Sequence, residues 1–261
     1  MRPQGEMPAP TGILTASSYR KRGLPWKEGA TMTEAEWLTC TEPKPMLEFL
    51  GDRASDRKFR LFGCACCRRL WDLLPSDLNR QAVQAIEEHP DTVSGELYPE
   101  GVDSHPVLGE ALVASSSREY EWGRDRAYWA VKFLGRSFYK LTPLRGAVVV
   151  ALQAAAVKGE GGTRAEAAAG QAALLRDIIG NPFRPVALDP AWRTPTVLAL
   201  AQAAYDDRLL PAGTFDLDRL AVLADALEDA GCDNADILAH LRGPGPHVRG
   251  CWALDLLLEK E

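Results

Sequence analysis

Residues 56–74 read "DRKFRLFGCACCRRLWDLL". Wound at 100° per residue, Phe59, Phe62, Cys66, Leu70 and Leu73 fall within about 80° of one another, a single apolar stripe of the width that a core-facing helix needs. Ser55 precedes the stretch as an N-cap and Pro75 closes it, so both ends carry helix punctuation. Cys66 is placed in the core, Cys67 and Leu74 at its edge, and Cys64 farther round beside Trp71. Arg68 and Asp72 lie opposite and are expected to face water. No two-residue alternation competes with this pattern, and the reading is α-helix.

Working outward, the same grammar recurs. Thr33-Glu34-Ala35-Glu36 is a capping box, in which the threonine oxygen takes a free backbone N–H and the glutamate reaches back. The fold is expected to start there. Residues 1–31 hold no sustained apolar period and are rich in Pro and Gly, which reads as a disordered tail or an overcalled start. Downstream, "SDLNRQAVQAIEEH" is a helix stopping before Pro90, residues 89–106 an irregular connection, and 107–135 a longer aromatic-bearing helix. Thr142-Pro143 opens another helix, which "KGEGG" breaks. Thr163-Arg164-Ala165-Glu166 is a second capping box, starting a helix to Ile179 with Gly180 as its stop.

"NPFRPVALDPAW", residues 181–192, is too proline-rich for a helix and reads as a stiff strap anchored by Phe183 and Trp192. Thr194-Pro195 restarts a helix to Asp206, and residues 217–230 form the next, ended by Gly231. Asp233 is the expected cap for "NADILAHL", and a last helix is expected over 248–258. The expected fold class is therefore all-α: an irregular multi-helix bundle of eight to ten helices with no strand pattern. It is read as a single domain over 32–261, with two helical lobes, 32–135 and 142–261, as the alternative partition. No fixed-period repeat marks a solenoid.

Bulk properties fit a globular body: 261 residues, 46% hydrophobic, 25% charged, formal net charge −6. Residues 1–31 carry five Lys/Arg against two Glu, leaving 25 against 34 in the remainder. That acidic body repels phosphate backbones, so nucleic acid is excluded as an expected partner. The most apolar run, "GAVVVALQAAAV", falls short of the roughly 20 residues that a membrane crossing takes, so no membrane partner is expected. With no signal-peptide pattern, the expected location is a bacterial-type cytoplasm, where six cysteines stay reduced.

Chemistry-bearing motifs are sparse. Walker A, GxGxxG, GxSxG and HExxH patterns are all missing from the sequence. The cysteines carry two readings. In the leading one they are small hydrophobes filling the core, and His247 and Cys251 begin a buried terminal helix, on one stripe with Leu254 and Leu258. In the other, Cys64-x-x-Cys67 and His247-x-x-x-Cys251 converge to give three thiolates and one imidazole, a tetrahedral zinc set. A Cys–His nucleophile is disfavoured, because a reactive thiolate needs exposure and a positive neighbour. Arg249 lies far round from Cys251, and Arg60, one turn from Cys64, suits a solvated edge equally well.

Asp218, Asp225 and Asp229 align on one helix opposite Leu220, Leu223 and Leu227, the pattern of a wet acidic face. Pro182–Pro185 has PxxP spacing, and "REYEWGRDRAYW", residues 118–129, mixes aromatic and basic residues whose field Glu119, Glu121 and Asp125 cancel. The functional expectation is a non-enzymatic protein-interaction or regulatory module with an unidentified protein partner and no cofactor. The alternative is a zinc-stabilised or thiol-dependent protein using Cys64, Cys67, His247 and Cys251. A third reading, an enzyme handling a basic substrate through the 206–236 carboxylates, has only the acidic excess behind it.

Three stretches carry a resemblance: "MTEAEWLTCTEPKPMLEFL…SDRKFRLFGCACCRRLW", "LLRDIIGNPFRPVALDPAWRTPTVLALAQAAYDDR" and "LADALEDAGCDNADILAHLRGPGPHVRGCWALDLLLEK". They resemble a large paralogous family of bacterial proteins with no assigned activity, over most of 32–261. The resemblance implies a start at the MTEAEW segment and contributes no catalytic residue.

Overall fold

The computed structural model describes residues 30–74, 77–91 and 163–260. The expectations for residues 1–29, most of the 89–106 connection, the 107–135 helix, the Thr142-Pro143 helix, the lobe junction at 136–142 and the 118–129 stretch lie outside the described residues. Among the described residues the protein has nine α-helices and no β-strand. They are α1 (Glu34–Thr39), α2 (Pro43–Leu50), α3 (Asp56–Arg68), α4 (Asp77–Glu88), α5 (Arg164–Ile179), α6 (Pro195–Asp206), α7 (Leu217–Asp229), α8 (Ala235–Leu241) and α9 (Trp252–Leu258).

Both capping boxes form: Thr33 accepts from the Glu36 N–H while Glu36 accepts from the Thr33 N–H, and Thr163 and Glu166 repeat the arrangement. Ser55 caps α3 through the Lys58 N–H. Thr194 and Pro195 start α6, which ends at Asp206. Two caps differ from expectation in instructive ways. Asn234, not Asp233, caps α8, its carbonyl oxygen accepting from the Asp236 and Ile237 N–H groups. The final helix starts at Trp252, not 248. Gly250 sits at φ +94, which a right-handed helix forbids. The Phe215 N–H donates to the His247 carbonyl at 2.8 Å, and the Cys251 N–H closes a turn onto the Val248 carbonyl at 2.9 Å, so residues 247–250 are held out of the helix.

Helix α3 is the hub. Helices α4 and α5 both pack on it, and all its residues except Asp56 and Lys58 are buried. Cys66 is fully buried, as its stripe position requires. Arg68 corrects the sequence reading: it does not face water. Its side that looks solvated on a helical wheel is covered by α4, where Glu87 takes its guanidinium at 2.6 Å. Leu73 is the converse correction. The α-helix ends at Arg68 and Trp71–Leu73 tightens into a 3₁₀ turn, which rotates Leu73 off the stripe to 39% exposure.

The buried side chains form two cores. The first draws Trp37, Met46, Phe62, Cys64, Cys66 and Cys67 from the N-terminal helices together with Leu174, Leu175 and Ile178 of α5. The second is built from α6–α9, with Tyr205, Phe215, Leu223, Leu227, Ile237 and Leu254 among its members. The proline-rich strap joins them as expected: Phe183 packs on the first core, its ring stacked 5.1 Å from Phe49, and Trp192 packs on the second. Asp218, Asp225 and Asp229 are exposed, opposite the buried Leu220, Leu223 and Leu227.

Candidate metal centre

Four side chains from four places in the chain meet where the cores adjoin. Asp177 comes from the last turns of α5 and His240 from the end of α8. His247 lies in the non-helical link that follows, and Cys251 is the residue from which α9 departs. One ligand-capable atom from each lies within 4.8 Å of all the others. Asp177, His247 and Cys251 are buried, and His240 is partly exposed at one edge.

The contacts are close and converge. Asp177 Oδ1 lies 3.0 Å from His247 Nδ1 and 3.2 Å from His240 Nε2. The same His240 Nε2 is 3.1 Å from Cys251 Sγ. The other carboxylate oxygen, Asp177 Oδ2, accepts the Val248 N–H at 2.9 Å. Around a tetrahedral zinc, with bonds of about 2.0–2.3 Å, ligand atoms sit about 3.3–3.8 Å apart. The three contacts through Asp177 Oδ1 and His240 Nε2 fall slightly short of that edge, while the group as a whole spans up to 4.8 Å.

The polarity of these contacts is informative. His247 Nε2 lies 3.2 Å from the Gly243 carbonyl oxygen, which can only accept, so a hydrogen bond there takes a proton on Nε2. In a neutral ring, Nδ1 would then turn a lone pair toward the Asp177 carboxylate. A second proton on the imidazole, or a metal ion between them, satisfies both contacts at once. For the proton, burial works to lower the His247 pKa, but the hydrogen bond and charge of Asp177 outweigh it and raise it. Burial likewise works to raise the Asp177 pKa, and the contacts from His240 and His247 outweigh it, leaving the carboxyl below its ordinary range.

A nucleophilic Cys–His–Asp relay is a poor description of this geometry. A relay needs the thiol on one ring nitrogen and the carboxylate on the other. Here Cys251 and Asp177 both address Nε2 of His240. Burial first, then the Asp177 charge, push the Cys251 thiol well above its ordinary pKa. A proton-carrying buried thiol is inert, whereas a metal ion deprotonates it outright.

Of the four residues singled out from the sequence, the structure brings His247 and Cys251 together, though not as one helix stripe. Their company is Asp177 and His240. Cys64 and Cys67 are fully buried in the first core and are not members of this group; Cys64 Sγ lies 3.8 Å from the Val83 carbonyl. Burial is the main cause that drives both thiols well above the usual range. Sequence reasoning missed His240 and Asp177. The first was findable, since "HLRGPGPHVRGC" spaces His240, His247 and Cys251 around one chain reversal. Asp177 had no such signal: it lies 70 residues before His247, inside a helix otherwise committed to the first core.

Two other buried ionic groups flank the centre. Asp255 pairs with Arg57 at 2.6 Å and Lys58 at 2.7 Å, and Arg57 also donates to the Tyr205 hydroxyl at 2.8 Å. Glu87 pairs with Arg68 and with Arg208, the latter at 3.0 Å. The exposed acidic face of α7 is partly neutralised, because Arg242 bridges Asp225 and Glu228.

No protein-family model matches the chain, and neither a curated protein nor a solved structure matches it. Among the described residues, no helix is long and apolar enough to cross a membrane.

Proposed function

We propose that this is a metal-stabilised helical protein that holds one zinc ion through Asp177, His240, His247 and Cys251. The observation that supports the reading is the convergence of a thiol, two imidazoles and a carboxylate within 4.8 Å. Sulfur and nitrogen donors favour zinc over magnesium or calcium, which take oxygen shells, and four donors at this spacing suit a tetrahedral ion. Two ligands are themselves held: Val248 donates to Asp177, and Gly243 accepts from His247. Such outer support orients ligands and raises affinity.

The role proposed for the ion is structural, not catalytic. Four protein ligands close the coordination sphere, whereas catalytic zinc keeps a position open for water or substrate. The wider non-enzymatic role, binding a protein partner, remains part of the proposal. All four ligands lie inside two of the three stretches that resemble the bacterial paralogous family, so we extend the reading to that family.

The test is elemental analysis of purified full-length chain, expected to give about one zinc per chain, as a closed tetrahedral site requires. Cys251→Ser and Asp177→Asn are expected to lose it, and Cys64→Ser and Cys67→Ser to keep it. Folded wild-type protein that carries no zinc and takes up none when it is supplied would overturn the proposal.

A further inference from the structure

We infer that the zinc ion acts as a removable lock between the two cores, so that metal occupancy decides whether they behave as one cooperative unit or two. The inference rests on the zinc reading above and adds a regulatory consequence to the same site. Its basis is the make-up of the seam. Helix α5 buries Leu174, Leu175 and Ile178 in the first core, while Asp177 on the same helix joins the metal group. Cys251 belongs to the second core, and His240 ends a helix whose Ile237 and Leu241 are buried there. An ion held by all four ties the first core to the second.

Charged pairs also cross the seam. Arg57 and Lys58 of α3 reach Asp255 of α9. Glu87 of α4 reaches Arg208, beyond α6. Replacing water around buried charges costs about as much as their attraction returns, so such pairs orient the cores more than they bind them together. Apolar contacts cross it as well: Val248, the residue after His247, is buried in the first core. A Cβ on Gly250 would lie 2.9 Å from Leu61, and one on Gly180 3.0 Å from the Trp252 ring. A metal–ligand set is the strongest of these links and the one that a change in free zinc can add or remove.

Hydrogen–deuterium exchange and thermal unfolding of the zinc-loaded and chelator-stripped full chain test this. Zinc-loaded protein is expected to unfold in one transition. After stripping, two transitions are expected, and exchange is expected to rise about tenfold or more across residues 240–252 and the end of α5, the foldon boundary the lock would hold. Cys251→Ser should reproduce the stripped pattern without chelator. Asp255→Asn is expected to keep its zinc and its single transition. If zinc binds but stripping leaves one transition and unchanged protection, the lock is refuted while the metal site stands. If no zinc binds, both fall.

Discussion

The pairing of Arg68 with Glu87 gives the sharpest test of the packing around α3. A helical wheel places Arg68 in water, where removing a partner carboxylate costs about 0–1 kcal/mol. The structure places both groups out of water, with side-chain exposures of 2% and 4%. Glu87 receives Arg68 Nη2 at 2.6 Å and Nε at 3.1 Å, and Arg208 Nη1 at 3.0 Å. In Glu87→Ala the Arg68 guanidinium keeps, among the described residues, the Pro211 carbonyl at 3.1 Å and the Trp71 ring face at 4.2 Å. A buried charge stripped of its counter-charge costs about 3–5 kcal/mol. With 2–4 °C lost per kcal/mol in a body of this size, the melting temperature should fall by about 6–20 °C. Urea unfolding followed by circular dichroism measures the free energy directly. The paired replacement Arg68→Met with Glu87→Leu should recover part of the loss, because the Arg68 charge is then gone while Arg208, 11% exposed, still lacks the Glu87 carboxylate. A Glu87→Ala cost under about 1 kcal/mol would show Arg68 to be hydrated and refute the hub role of α3.

Three further outcomes are expected. With zinc free at about 1,000 times its Kd, chelation should remove about 4.1 kcal/mol of stability and bring the first unfolding transition down by about 8–16 °C; an onset of unfolding indifferent to chelator in calorimetry contradicts this. Ellman's reagent at pH 8 should label Cys40 first in the native chain, whereas Cys64, Cys66 and Cys67 stay silent until denaturant is added. Burial pushes Cys66 up to about 12, which leaves a thiolate fraction of about 10⁻⁴ at that pH; rapid native labelling of the α3 thiols would count against the packing. Gly250→Ala, at φ +94 and facing Leu61, should destabilise by about 1–3 kcal/mol from overpacking alone, and a neutral effect in urea unfolding would show that the 247–250 link is not fixed as described.

Local rules carried most of the fold into the sequence. Thr33, Ser55, Thr163 and Thr194 each announce a helix start by short-range hydrogen bonding, and Gly180 and Gly231 announce ends by adopting positive φ. The acidic face of α7 followed from period alone. What local pattern did not reveal is how many sides of a helix are covered. Arg68 looks solvent-facing on a wheel because a wheel knows nothing of α4. The candidate site was half legible for the same reason. His247 and Cys251 sit on one reversal of the chain, but Asp177 arrives by tertiary contact, and its carboxylate reads as an ordinary polar position within α5. Gly250 also carried a readable signal, for a glycine directly before a residue that starts a helix is a natural place for the backbone to break.

The strap from Phe183 to Trp192 sets what happens once the metal leaves. Its two anchors stand nine residues apart, a span of about 30 Å at full extension, and its prolines keep it from coiling freely. The parted halves therefore stay mutually confined at a local concentration on the order of millimolar. Re-docking of the two halves would then be a first-order event, its rate independent of how dilute the protein is, and only the zinc itself would have to be gathered from solution.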